Sequence, residues 1–191
     1  MTQSTNPAVK SHMGPPVEEA KITFLDLRIV LSVLICLLSA ELLNQLGIKY
    51  HYGKMDLEIL QHMTAAISCL LVCQKDGHTS TKAGINRIIL TAIGGGLGIV
   101  IALFDNYIFY SPWLDVLLIT IGVLAALFLC KLAGLPYVNA RIGGVTCILV
   151  AGTLSGTARV PFAIFRFIST IYGAVISVLV TMLMLRLFND K

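Results

Sequence analysis

Two stretches of the chain follow one pattern, Arg-x3-Thr-x2-Gly: Arg87-Ile-Ile-Leu-Thr91-Ala-Ile-Gly94 and Arg166-Phe-Ile-Ser-Thr170-Ile-Tyr-Gly173. Each copy opens a long apolar stretch that contains no further charge. The pattern indicates a membrane protein built from two related halves, with an arginine at the same place in each half. Internal repeats of this kind are typical of secondary transporters.

The composition places much of the chain in lipid. Of its 191 residues, 57% are hydrophobic and 13% are charged, and the mean hydropathy is +0.86. An ordinary soluble domain has about 25% charged residues, and a soluble chain of this size could not bury so much apolar surface in one core. The five cysteines lie inside apolar stretches, and we expect them to be small buried residues. They are Cys36, Cys69, Cys73, Cys130 and Cys147.

Six apolar segments predict an all-α integral membrane protein with six transmembrane helices. Their approximate edges are 27–46, 57–74, 84–104, 113–132, 142–157 and 162–188. A helix needs about 20 residues to cross the hydrocarbon, so the first, third, fourth and sixth segments are long enough. The second contains polar residues and the fifth is short. Strands are not expected in these runs, because polar and apolar residues do not alternate there. Residues 22–188 form the predicted membrane domain, and the polar residues 1–21 a disordered cytoplasmic tail.

The placement of lysine and arginine predicts the orientation. With the N-terminus inside, ten of these residues lie inside and four outside, which favours cytoplasmic N- and C-termini. The outer four are Lys49, Lys54, Arg159 and Arg166. With three helices in each half, the second half enters from the opposite face, so the two motif helices run antiparallel. This arrangement is a pair of inverted three-helix repeats.

Arg87 and Arg166 are both expected at the N-terminal ends of their helices. A helix N-terminus already carries partial positive charge, so an arginine there is favourable when an anion completes the arrangement. Free N–H groups and a guanidinium group together form a carboxylate or phosphate site. Arg28 and Arg141 also stand at helix starts. The alternative is that these arginines extend to lipid headgroups and set the topology, although Arg166 lies on the predicted outer side, against the charge rule.

Thr91 and Thr170 follow the arginines by one helical turn. Their hydroxyl groups either bond back to a carbonyl of their own helix or point into a cavity. Small residues in these helices allow close helix packing, and a glycine-lined substrate path is the alternative. The glycines concerned are Gly94, Gly95, Gly98 and Gly173.

Two ionisable residues inside apolar segments are candidates for proton coupling. Glu41 is the one acid well inside such a run, where it could carry a proton if burial raises its pKa. It could equally pair with an arginine or extend to the outer face. His62 either lines a cavity or is packed and hydrogen-bonded. No set of nucleophile, base and acid appears, so we expect no enzyme activity, and no cofactor, metal ion or nucleic acid.

Residues 74–98, which run from a glutamine through Arg87 into a glycine-rich helix, resemble the central signature of the aromatic acid exporter superfamily, the fusaric-acid-resistance-like group. Residues 166–173 resemble the signature of the family's last helix, and Arg28 lies where the family often has a basic residue. The resemblance is to the membrane domain of the family and covers roughly residues 22–188. One departure is Leu90, which stands where the family usually has a glycine before its threonine.

The resemblance implies a six-helix domain in a bacterial-type plasma membrane that exports aromatic or other organic carboxylates. Plant aluminium-activated malate channels look distantly related, and in them two six-helix units form a dimer around an anion pore lined by basic residues. A homodimer is therefore expected, with Arg87, Arg166 and then Arg28 as anion-binding positions. From the residues alone three functions stay open: an organic-anion transporter, an anion channel, and a non-transporting scaffold or module that binds anionic lipid.

Overall fold

A computed structural model of the chain describes residues 23–46, 49–52, 55–107, 112–153 and 158–189. The predicted tail, residues 1–21, lies outside them. The described residues form six α-helices and one β-hairpin, in the order α1 (Phe24–Gln45), β1 (Lys49–Tyr52), β2 (Met55–Glu58), α2 (His62–Val72), α3 (Gly77–Tyr107), α4 (Pro112–Leu132), α5 (Tyr137–Thr153) and α6 (Arg159–Asn189).

The connection between α1 and α2 contains the β-hairpin, which hydropathy did not predict. β1 and β2 pair antiparallel, with Lys49 opposite Glu58 and Tyr52 opposite Met55. The expected start of the second segment at Leu57 is therefore wrong, because Leu57 belongs to β2 and α2 begins at His62. The signal was present in the sequence, since polar and apolar residues alternate in both strands.

Every helix except α2 begins earlier than the apolar run that predicted it, and α3 and α5 differ the most. α3 begins at Gly77 rather than at residue 84, because Asp76 and Thr79 form a turn at its start: the Thr79 hydroxyl donates to the Asp76 carbonyl at 2.9 Å. α6 begins at Arg159 rather than at residue 162, with Pro161 in its first turn, where a proline is tolerated. α5 begins at residue 137 rather than 142. A first turn that contains polar residues or a proline weakens the hydropathy signal, so the apolar runs placed these starts too late.

The buried face of α1 is small and polar and its exposed face is apolar, which is the reverse of a surface helix on a soluble protein. Its buried face, at every fourth residue, consists of Arg28, Ser32, Cys36, Ala40 and Asn44. Its exposed side carries Val30, Leu34, Leu38 and Leu42. Small and polar groups thus face the protein while branched apolar groups face outward, which is the arrangement that a lipid solvent favours.

Three of the described helices are long and apolar enough to cross a membrane: α3 over Gly77–Phe104, α4 over Trp113–Leu132 and α6 over Arg159–Leu187. In the most apolar 18-residue window of each helix, 17% of α4 is buried, against 44% of α3 and 39% of α6. α4 is therefore peripheral and the two motif helices are central. All five cysteines are buried, as predicted, and none of them forms a disulfide. The all-α membrane fold is confirmed, whereas the count of six spans stays a prediction.

The two motif helices α3 and α6 pack against each other in an antiparallel arrangement. A methyl group added to Gly77 would lie 3.7 Å from Met182 Cγ, and one added to Gly84 would lie 3.7 Å from Ala174 Cβ. As the chain advances along α3, its contacts therefore move back along α6. Each motif helix also has an extensive contact with a helix of the other half, α3 with α5 and α6 with α2.

Candidate functional site

Arg87 and Arg166 lie in the body of their helices and not at the ends. Because α3 begins at Gly77 and α6 at Arg159, Arg87 is about three turns inside its helix and Arg166 about two turns inside. The prediction that both stand at helix N-termini is therefore wrong, and free backbone N–H groups are not part of either site. What remains of the predicted anion chemistry is the guanidinium groups themselves.

Arg87 is buried without full hydrogen bonding. Only 6% of the residue is exposed, and its Nε and Nη1 have no hydrogen-bond partner among the described residues. The positive charge of Arg166 acts on it across the contact between α3 and α6. A buried cation without a partner is costly, and a second cation nearby increases that cost. The arrangement favours a negatively charged ligand.

Arg166 is half-buried and takes part in a hydrogen-bond network that joins α6 to α2. Its Nη1 donates to Thr64 Oγ1 at 3.2 Å, and the Thr64 hydroxyl donates to Gln61 Oε1 at 3.1 Å. The Gln61 side chain then donates to the carbonyl of Phe162, one turn before the arginine, at 3.3 Å. The network holds the guanidinium group in place, and Thr64, its partner among the described residues, is neutral and does not compensate its charge.

Thr91 and Thr170 have different surroundings, although they occupy the same motif position. The Thr170 hydroxyl donates to the Arg166 carbonyl at 2.9 Å, which is the back-bonded alternative. The Thr91 hydroxyl has no partner in the described structure, and the residue is only 2% exposed. It lines a groove of about 250 Å³ between α3 and α6. The other lining residues are Ala92, Gly95, Gly96, Ile99, Ala163, Ile164 and Phe167.

The four predicted glycines divide into two groups. A Cβ on Gly94 would collide with the Gly143 carbonyl in α5, one on Gly98 would lie 2.7 Å from Val150 Cβ, and one on Gly173 would collide with the Ala65 carbonyl in α2. These three glycines lie where helices touch. Gly95 has nothing within 4 Å of its Cβ position and lines the groove instead.

Arg28 lies away from the groove and binds backbone carbonyls. Its Nη2 donates to the carbonyl oxygens of Gln74, at 2.5 Å, and Lys75, at 2.9 Å. These carbonyls belong to the connection between α2 and α3, so Arg28 fastens α1 to that connection. This contact gives Arg28 a structural role, whereas anion binding by Arg28 stays a prediction.

The two candidates for proton coupling both lie towards the surface of the protein. Glu41 is on the exposed side of α1, where its Oε1 accepts a hydrogen bond from Gln45 Nε2 at 3.2 Å. His62 is the first residue of α2, with its Nδ1 3.1 Å from Glu58 Oε2, and both side chains are about 40% exposed. The structure brings neither of them to the groove between α3 and α6.

Several polar groups around the two arginines were not among the predicted site residues. Thr64 and Gln61 contact Arg166 or its network, and Asn86 and Asn139 line a small cavity with Arg87. The available signal was their polarity, since each interrupts or adjoins an apolar segment. Sequence position did not reveal that residues so far apart in the chain meet around one charge.

Comparison with known proteins places the chain in one family. The model of the family described as fusaric acid resistance protein-like matches residues 35–180. No curated protein matches the chain, and no solved structure matches it. The matched region contains both motif arginines and the whole of α2 to α5. The chain therefore belongs to the fusaric acid resistance protein-like family.

Proposed function

We propose that this protein is a membrane transporter that exports organic carboxylate anions, aromatic acids among them. The observation that carries the proposal is the pair of arginines at the contact of α3 and α6, of which Arg87 is buried with unbonded nitrogen atoms. Family membership and the apolar helices support a role in membrane transport rather than catalysis.

The energetics of the two arginines favour an anion that comes and goes. In a medium of low dielectric constant, two like charges repel strongly, and ionisable residues within membrane segments mark substrate or ion pathways. A carboxylate between or beside the guanidinium groups would relieve the repulsion and accept their hydrogen bonds. A permanent acidic partner would relieve it as well, but would leave no site for a substrate.

The groove between α3 and α6, which is lined by Thr91 and by Phe167, the residue after Arg166, suits the organic part of a substrate. Its walls are apolar except for the Thr91 hydroxyl, and its volume is about 250 Å³, near the lower limit of about 300 Å³ for pockets that bind drug-sized molecules. A molecule with one ring and one carboxylate is of a suitable size. In this proposal Thr91 donates a hydrogen bond to the substrate, because its hydroxyl has no partner among the described residues.

The helix packing supports two inverted repeats. α3 packs antiparallel to α6, and each of them approaches the middle helix of the other half at the motif glycine, Gly94 on Gly143 and Gly173 on Ala65. A two-fold axis in the membrane plane would relate these contacts. We further propose a homodimer in the plasma membrane with both termini cytoplasmic, an orientation that the distribution of lysine and arginine supports.

Flux measurements on purified protein in liposomes test the proposal. We expect saturable efflux of an aromatic carboxylate such as benzoate, reduced at least about tenfold by Arg166→Gln, since a neutral amide cannot hold the anion by charge. The matched control is Arg186→Gln, which removes an exposed arginine from the same helix and should leave flux unchanged. Wild-type flux equal to that of empty liposomes across a broad anion panel would overturn the proposal and favour a scaffold or lipid-binding module.

Two further measurements refine the mechanism. Unitary conductance steps in a planar bilayer would identify a channel instead of a carrier. Glu41→Gln and His62→Gln test proton coupling: loss of the dependence of flux on the pH gradient would assign the coupling to that residue. Full retention of this dependence in both variants would remove Glu41 and His62 as proton carriers.

A further inference from the structure

Arg87 faces a second cavity that is distinct from the groove between α3 and α6. This cavity has a volume of about 100 Å³. Its lining residues are Leu71, Gln74, Ala83, Asn86, Arg87, Leu90, Asn139 and Ile142, which come from α2, the α2–α3 connection, α3 and α5. None of them lines the groove that contains Thr91.

The polar groups of this cavity are a cation and three carboxamides. Arg87 is only 6% exposed, and its Nε and Nη1 have no hydrogen-bond partner among the described residues. Gln74, Asn86 and Asn139 also line the cavity, with Gln74 Nε2 already donating to the Leu71 carbonyl at 3.3 Å, and no carboxylate is among the described lining residues. Arg28 lies behind this wall, because its guanidinium group binds the backbone carbonyl of Gln74. Guanidinium and amide N–H groups are the donors that bind anions.

The volume limits the ligand to a small one. A cavity of about 100 Å³ corresponds to the volume of about three water molecules in the liquid. An anion of one to four heavy atoms fits completely in this space, whereas an aromatic acid would extend beyond it. The remaining walls, from Leu71, Ala83, Leu90 and Ile142, are apolar, so water competes weakly for the buried guanidinium group and its attraction for a negative charge is strong.

We propose that the Arg87 cavity binds a small monovalent anion, of the size of chloride, nitrate or formate, separately from the organic substrate in the groove. The guanidinium Nε–H and Nη1–H donate to the anion, and the carboxamides of Asn86 and Asn139 complete its hydrogen bonds. A bound anion also neutralises Arg87 and weakens its repulsion with Arg166. The proposal goes beyond transport, because it describes a binding equilibrium that exists whether or not the protein carries out flux.

Thermal unfolding of the full chain in detergent tests this binding. Sodium nitrate, chloride and formate are titrated at constant ionic strength against sodium gluconate, whose anion is too large for the cavity. Ligand that binds only the folded protein raises the Tm in a saturable way. We expect such a rise for at least one of the three small anions in the wild type, and an apparent Kd raised at least about tenfold in Arg87→Gln.

Matched variants separate this site from the groove and from general salt effects. Arg186→Gln and Arg166→Gln should retain the Tm rise with small anions, because neither residue lines the cavity. Asn139→Leu, which keeps Arg87 but removes an amide and fills space, should weaken it and serves as the second variant if Arg87→Gln does not fold. An equal Tm rise in wild type and both cavity variants, or an equal effect of gluconate, overturns the proposal.

The two proposals fail in different experiments. Benzoate is too large to enter the Arg87 cavity completely, so any Tm rise that it produces should be lost in Arg166→Gln and retained in Asn139→Leu, which changes the cavity and keeps both arginines. A protein without flux that still shows a nitrate effect dependent on Arg87 would retain the small-anion site and lose the transport function. A protein with flux dependent on Arg166 and no specific effect of small anions would retain the transport function and lose the small-anion site.

Discussion

The two copies of the Arg-x3-Thr-x2-Gly motif agree at the glycine. Gly94 in α3 faces the carbonyl of Gly143 in α5, and Gly173 in α6 faces the carbonyl of Ala65 in α2. In both places a Cβ would collide with backbone, which cannot move aside as the end of a side chain can. The shared part of the motif is therefore the part that sets how closely the two halves approach each other.

The same two copies differ at the arginine and the threonine. In α6, Arg166 donates to Thr64 and Thr170 donates to a backbone carbonyl. In α3, Arg87 Nε and Nη1 and the Thr91 hydroxyl are buried without partners among the described residues. Buried polar groups without partners reduce stability, so the α3 copy has the donors available for a ligand while the α6 copy is largely satisfied within the protein.

The largest expected effect comes from breaking the shared contact. Gly94→Ala and Gly173→Ala should each lower the free energy of unfolding by about 3 kcal/mol, the upper part of the range for overpacked sites, because the methyl group meets a backbone carbonyl. The control is Gly95→Ala, in the same helix, where nothing lies within 4 Å of the added atom. Thermal unfolding in detergent measures the difference, and equal stability of all three variants would contradict the packing.

Replacing each arginine by methionine sharpens the contrast between the copies. Arg87→Met should raise the free energy of unfolding by about 2 kcal/mol, because it removes a buried unpaired charge and keeps the volume. Arg166→Met should lower it by about 1 kcal/mol, since it loses the bond to Thr64. The measurement is denaturation in detergent without added anions other than gluconate. A loss of stability in Arg87→Met as large as that in Arg166→Met would mean that Arg87 is satisfied after all.

The two threonines offer a smaller test of the same contrast. Thr91→Val should raise the free energy of unfolding by about 1 kcal/mol, because a buried hydroxyl without a partner is replaced by a methyl group of similar size. Thr170→Val should lower it by about 0.5 kcal/mol, since it removes a bond to the Arg166 carbonyl. Liposome flux provides the second readout: Thr91→Val should reduce flux and Thr170→Val should not. The reverse pattern of flux would assign the groove no part in transport.

Hydropathy and the repeated motif predicted much of the fold. They located the helices and marked Arg87 and Arg166 as related residues, because apolar runs of about 20 residues and a repeated pattern are local signals. They did not predict the starts of α3 and α6, whose first turns contain polar residues and a proline. This error matters for function, since it placed both arginines at helix N-termini, where backbone N–H groups would have helped to bind an anion.

The surroundings of the arginines could not be predicted, because they depend on contacts between distant parts of the chain. Thr64 meets Arg166 across 102 positions of sequence, and Asn139 joins the Arg87 cavity from another helix. Gly94 and Gly95 are adjacent in sequence and have opposite environments, one against backbone and one beside a groove. A pattern of small residues shows that helices can approach closely, but not which glycine lies in the contact.

The smallest expected effect concerns the start of the first half, where Asp26 caps α1. The backbone N–H of Thr23 donates to Asp26 Oδ2 at 2.8 Å, and this bond lowers the pKa of the exposed Asp26 carboxyl below its usual value of 3.8. A lowered pKa in the folded state means that the carboxylate stabilises the fold above about pH 4, and that this contribution is lost as the pH falls through the folded-state pKa.

Asp26→Asn should therefore lower the Tm slightly at pH 7, with the difference in Tm from wild type shrinking as the pH is lowered. Glu41→Gln, on the exposed side of the same helix but near its C-terminal end, should cause no such loss, because a carboxylate there is not favoured by the helix dipole. A difference between Asp26→Asn and wild type that stays constant from pH 7 to below pH 3 would show that the contribution of Asp26 does not depend on its charge.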